Sequence, residues 1–127
     1  MSLQSLANEF VELCNQGKNF DVMRAMYAPD IVSVEASGSE TVGKQPVIHK
    51  SELWGAANEV HGEKVRGPYF DGAHGASDRS SGQFAVHFTF EVTPRSTGKR
   101  VTLEEVGLYT VKDDQITREQ FYYEGDR

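Results

Sequence analysis

"QFAVHFTFEVTPRSTGKRVTLEEVGLYTVKDDQITREQFYYE", residues 83–124, decides the fold. Its first run places Phe84, Val86, Phe88, Phe90 and Val92 at every second position, the pattern of a strand with one buried face. "PRSTGK", with Gly98, reads as a hairpin loop, and "KDDQ" makes the next turn. "ITREQFYYE" then closes the sheet. Strands joined by such short connections pair antiparallel.

The middle run, "RVTLEEVGLYTV" (residues 100–111), holds Glu104 and Glu105 side by side, so alternation sends one of them inward. Val101, Leu103, Glu105, Gly107, Tyr109 and Val111 form the more apolar set, and Glu105 is predicted to face the core. Gly107 beside it leaves room for another group. In the last strand Thr117, Glu119, Phe121 and Tyr123 compete with Ile116, Arg118, Gln120 and Tyr122. The set with Phe121 and Tyr123 is assigned inward, which brings Glu119 in next to Glu105.

Upstream, Leu3, Leu6, Ala7, Phe10, Leu13 and Cys14 recur at helical spacing as far as Gly17. Asn19 can cap a short second helix holding Phe20, Met23, Met26 and Tyr27, ended by Pro29. "IVSVEA" is a first strand and "SGSETVGKQ" a loop, while Pro46 suits the first turn of a third helix running to about Ala57. "EVHGEKVRGPYF" is extended, with bends at Gly62 and Gly67-Pro68. "DGAHGASDRSSG" is a loop too polar to pack. Helices first and hairpin-linked strands afterwards predict one α+β domain over residues 1–127, with three helices on one face of the sheet. Strong curvature of that sheet leaves a cone between the two layers.

Along the third helix Val47, Lys50, Trp54 and Ala57 share a stripe, so Lys50 is predicted among apolar neighbours, opposite Glu105. Two inward acids and one inward amine make either a ligand site or a structural ion pair that holds strand register.

The order of elements, "MYAPDIVSVEASGSETVGKQPVI" and the closing "EEVGLYTVKDDQITREQFYY" resemble the nuclear transport factor 2-like superfamily, and within it the SnoaL-like domains. Lys50, Trp54, Gly67-Pro68, Thr93-Pro94, Gly98, Glu105 and Glu119 match the SnoaL-like pattern; Asp114, where a turn glycine is usual, departs from it. The resemblance implies a cone-shaped fold of helices on a strongly curved mixed or antiparallel sheet. Measured against ketosteroid isomerase of the same superfamily, the general-base position falls on Glu35 and the oxyanion-hole tyrosine falls on Phe10, which has no hydroxyl. The protonated aspartate falls near Gly107, two residues along the same face from Glu105.

The formal charge of −6 and scattered basic residues argue against a nucleic-acid partner. No apolar run approaches membrane-spanning length, and a cytoplasmic location is expected. His49, His61, His74 and His87 lack metal-ligand spacing, so no metal is expected, and no nucleotide motif calls for a cofactor. The outer sheet face, with Ala85, His87, Thr89, Val106 and Leu108, is partly apolar and is expected to pair across a two-fold axis in a homodimer. The predicted activity is cofactor-independent proton transfer on a small, apolar carbonyl compound. Glu35 or Glu105 would be the base, Lys50 would stabilise the enolate, and Glu119, Trp54, Tyr27, Phe10, Phe121 and Tyr123 would line the ligand site. The alternative is a non-catalytic pocket that anchors an apolar acid on Lys50.

Overall fold

The computed structural model describes residues 1–72, 76–77 and 79–125; His74, in the loop read as "DGAHGASDRSSG", lies outside them. Three helices, α1 (Leu3–Asn15), α2 (Asn19–Met26) and α3 (Lys44–Ala57), pack on one six-stranded sheet. The strands are β1 (Tyr27–Val34), β2 (Glu40–Val42), β3 (Asn58–Phe70), β4 (Gly82–Pro94), β5 (Val101–Lys112) and β6 (Gln115–Tyr122). Their spatial order is β2-β1-β6-β5-β4-β3. All neighbours run antiparallel except β1 and β6, which pair parallel, so the sheet is mixed, curled and not closed.

α1 starts where Ser2 accepts from the Ser5 amide while the Ser5 hydroxyl takes the Ser2 amide, a reciprocal cap. It stops before Gly17, whose φ of +76° suits a residue without Cβ. Its apolar stripe of Leu3, Leu6, Ala7, Phe10 and Cys14 is buried against the inner sheet face. The Phe10 ring lies 5.4 Å from Phe84 and 4.6 Å from Tyr109. Each such side chain removed from water contributes about 1.5–3 kcal/mol, so this contact carries much of the core. Asn15 holds the far end of α1 to the sheet edge: its amide donates to the Val65 carbonyl at 2.9 Å and its oxygen accepts from the Val65 N–H at 2.8 Å.

Several local expectations need correction. Asn19 is the first helical residue of α2, not its cap; the Lys18 N-cap makes no side-chain bond, and Asn19 reaches Glu63 instead. Tyr27 opens β1 rather than ending α2, because Pro29 sits exposed where the β1–β6 register shifts and no ladder bond is lost there. The segment read as a loop contains β2, whose short alternation exposes its residues and left no apolar signal. The polar loop does pack in its described part: Ala76 lies against the core, and the carbonyls of Ala76 and Arg79 accept from Gln4 and Leu3 at 2.8 and 2.6 Å.

In β5, Gly107, Tyr109 and Val111 are buried and Glu105 half-buried, with Glu104 and Val106 exposed, as the alternation predicts. The room beside Gly107 is taken by Tyr109, since a Cβ there would stand 2.8 Å from that ring and 3.1 Å from Phe88. In β6 both Ile116 and Glu119 are buried although they stand three positions apart, an odd spacing that the register shift between Thr110 and Val111 accommodates.

Candidate functional site

Between helices and sheet lies a cavity of about 1310 Å³. Phe10, Phe88, Phe90, Trp54 and Phe121 supply apolar wall, and exposed lining residues such as Leu53, Val60 and His61 mark the rim. That space exceeds the few hundred cubic ångströms a small ligand needs.

One wall is polar and continuous. Lys50, from the inward stripe of α3, donates to Glu35 Oε1 at 2.7 Å and to Ser33 Oγ at 2.7 Å. The Ser33 hydroxyl in turn donates to Glu119 Oε2 at 2.7 Å. The other oxygen of Glu119 accepts from the Tyr27 hydroxyl, and Tyr109 hydrogen-bonds to Tyr27 in turn. At the opposite end Tyr123 donates to Glu35 Oε2 at 2.8 Å. Tyr109, Tyr27, Glu119, Ser33, Lys50, Glu35 and Tyr123 thus form one chain of hydrogen bonds running from the core to the cavity surface.

The parallel β1–β6 pair makes this possible. Ser33 and Glu119 are direct partners across it, both on the inner face, and Glu35 continues the same strand beyond its last ladder residue. The two ends differ electrostatically. Glu35 and Lys50 keep 28% and 30% of their side chains exposed, so water reaches the ion pair. Glu119 is 2% exposed. Burial pushes its carboxyl above the ordinary range, and the bonds from Tyr27 and Ser33 and the charge of Lys50 offset only part of that. Burial, with the Glu119 charge close by, also raises Tyr27 well above the usual phenol. Tyr123 is pushed up to about 12 by burial and then by its bond to Glu35.

All the residues expected at the site line the cavity: Glu35, Glu105, Lys50, Glu119, Trp54, Tyr27, Phe10, Phe121 and Tyr123. Their pairing differs from expectation. The amine of Lys50 meets Glu35, not Glu105, because α3 packs against β1. Nor are Glu105 and Glu119 adjacent: Glu119 stands opposite Tyr109, four residues along from Glu105. Ser33, Tyr109 and Glu63 were not anticipated. Ser33 and Tyr109 read as ordinary strand residues, and only the fold makes one a bridge and the other a buried hydroxyl. Among the described residues no group of three or more His, Cys, Asp or Glu is arranged to hold a metal. Cys14, buried, has its thiol raised by burial, which leaves it protonated and unreactive.

The family model for the SnoaL-like domain matches residues 1–123, and the chain belongs to that family. A Mesorhizobium loti protein described as a candidate SnoaL-like polyketide cyclase is similar at 44% identity, covering 97% of this chain and 100% of its own, with a TM-score of 0.85. A candidate polyketide cyclase from Xanthomonas campestris pv. campestris shares 21% identity over 96% of this chain and 90% of its own, with a TM-score of 0.65. A Catenulispora acidiphila protein of ketosteroid isomerase-like fold superposes with a TM-score of 0.62 at 16% identity, over 93% of this chain and 84% of its own. No curated protein matches the sequence.

Proposed function

We propose that the protein is a cofactor-independent acid–base catalyst acting on a small apolar carbonyl compound, in a reaction of the isomerase, cyclase or dehydratase type. The observation that carries this reading is the Glu35–Lys50 pair at 2.7 Å, set on the wall of an apolar cavity and backed by buried Glu119. Lys50 and Tyr123 each donate to Glu35, which orients its carboxylate toward the cavity as a proton acceptor. When Glu35 removes a proton from the carbon beside the carbonyl, the electron pair moves to the carbonyl oxygen. Negative charge leaves one neighbour of Lys50 and arises on another, so the ammonium stabilises the enolate without reorganising. The proton then returns to a different carbon, or the enolate attacks a second carbonyl, closing a ring, and the alkoxide so formed takes the proton back from Glu35. The latter is consistent with the naming of the Mesorhizobium and Xanthomonas relatives as candidate polyketide cyclases. Glu105, also facing the cavity, is a second acceptor within the same hollow.

A pocket that merely anchors an anionic ligand on Lys50 is less well supported, because Glu35 already neutralises that amine. The test is exchange of α-carbon protons of small ketones and β-keto esters with deuterated water, followed by NMR. Glu35→Gln should slow it by about 10²–10⁴-fold, the usual contribution of a general base. Exchange that proceeds equally in the variant would remove Glu35 from this role.

The same proposal includes a homodimer. On the outer face Tyr69, Ala85, Leu108 and Gln120 form one cross-strand row, and Arg66, His87, Val106 and Tyr122 the next. Val106 and Tyr122 are 39% and 49% exposed there, apolar surface that a two-fold partner would cover. Among the described residues no helix is long and apolar enough to cross a membrane, and a buried, protonated Cys14 suits the cytoplasm.

A further inference from the structure

The cavity has a second polar locus, on β3 rather than at the β1–β6 seam. Glu63 lies on β3, separated from Glu119 on β6 by β4 and β5. That is three strand spacings, about 14 Å along the sheet. Its Oε2 accepts from the Asn19 amide at 2.7 Å. Among the described residues no Lys, Arg or His makes a salt bridge with it, and burial lifts its carboxyl above the ordinary range. A half-buried carboxyl whose neighbour is a neutral amide gains from a cation beside it. Its surroundings suit one: Phe90 is the direct cross-strand partner of Glu63, and the Trp54 ring lies 5.5 Å from Phe90.

The charge of the whole hollow points the same way. Among the described residues Glu35, Glu63 and Glu105 line it, with buried Glu119 behind them, against one lysine, Lys50, which is paired with Glu35. Among the described residues, an anion entering this space meets carboxyls and an ammonium already paired with Glu35. A cation meets carboxyls and aromatic faces.

We infer that the cavity selects ligands carrying a protonated amine on an apolar body, with the nitrogen received by Glu63 and the faces of Phe90 and Trp54. The remainder of such a ligand extends over Phe88 toward Glu35 and Lys50. This deepens the acid–base reading, on which it rests only for where the reacting carbon lies.

Trp54 is the protein's one tryptophan and lines the cavity, so its fluorescence reports occupancy directly. Three probes of matched size are titrated: 2-phenylethylamine, 2-phenylethanol and 3-phenylpropionate. The amine should bind roughly tenfold or more tighter than the acid, the size of one charge-assisted hydrogen bond. Glu63→Gln keeps an acceptor for Asn19 and should bring that ratio to within about twofold of unity, leaving the alcohol unchanged. An acid that binds as tightly as the amine, a ratio that survives Glu63→Gln, or no response to any probe would each overturn the inference. Turnover plays no part in this readout. An absence of amine preference in the native protein, with intact Glu35-dependent exchange, therefore counts against the Glu63 inference alone, and exchange insensitive to Glu35→Gln counts against the catalytic reading alone.

Discussion

Glu119 is a carboxyl placed where water cannot solvate it, and this has a consequence that can be measured. Its folded-state pKa lies above the ordinary glutamate value of 4.5, so between those two values the native protein holds a proton that the unfolded chain releases. Stability from this group is therefore complete below pH 4.5 and is lost as pH rises through the higher, folded value. Glu119→Gln has no proton to lose. The melting temperature of the variant minus that of the native protein should climb as pH increases from 4 to 8, a comparison in which Glu63 cancels. A difference independent of pH would show that Glu119 is not held protonated by burial. Gly107 is a second residue-scale case, one of space rather than backbone freedom. A methyl group there meets the buried rings of Tyr109 and Phe88, which must shift to admit it. Gly107→Ala should cost about 1–3 kcal/mol in urea unfolding, the usual penalty of overpacking. At this scale, inward Glu105 and inward Lys50 were legible from parity and from the helical stripe. The partner of Lys50 was not, because Glu35 lies beyond the end of β1 and only the packing of α3 on that strand joins them. Glu63 was hidden for a related reason: the shift between Val60 and Gly62 resets the alternation of β3.

Among the elements, the turn between β5 and β6 is the least comfortable. Asp113 and Asp114 both adopt positive φ, 49° and 66°, in a two-residue connection whose geometry favours glycine at the second position. Asp114→Gly should stabilise the protein by about 0.5–1 kcal/mol, since an L side chain is disfavoured in that region. The substitution removes a contact from the N-terminal amine at 3.5 Å, but both groups are about half exposed and such pairs contribute little. An unchanged or lower melting temperature would contradict this. The strands themselves were readable to differing degrees, and irregularity explains the difference. β4 alternates without interruption from Phe84 to Val92, and its inner face follows at once. β6 and β1 carry register shifts, at Thr110/Val111 and Tyr27/Val32, and each shift breaks the period on which parity depends. Pro29 compounded this by resembling the end of a helix, when it lies within an exposed, irregular stretch of strand.

For the whole molecule, the proposed dimer depends on a face whose rows run from Arg66 through His87 and Val106 to Tyr122. Sedimentation should find two chains per particle, and Val106→Glu should yield monomers by placing a charge at the centre of the buried surface. A native protein that sediments as a single chain would exclude the pairing. The overall architecture was legible in outline, helices before strands and a cone between them, because both periodicities are strong. The parallel seam between β1 and β6 was not, since no local pattern tells a first strand that its neighbour is the last.

That seam also orders events in time. The bonds that join Tyr27, Ser33 and Glu35 to β6 and the residue just after it span 92, 86 and 88 positions of chain. On a ribosome, the strand bearing Ser33 emerges early and waits with its flank uncovered until Gln115–Tyr122 clears the exit tunnel. Nascent chains arrested before that point would hold α3 and β1 without the carboxyl that joins them to the rest, and would present an unsatisfied edge to any chaperone within reach.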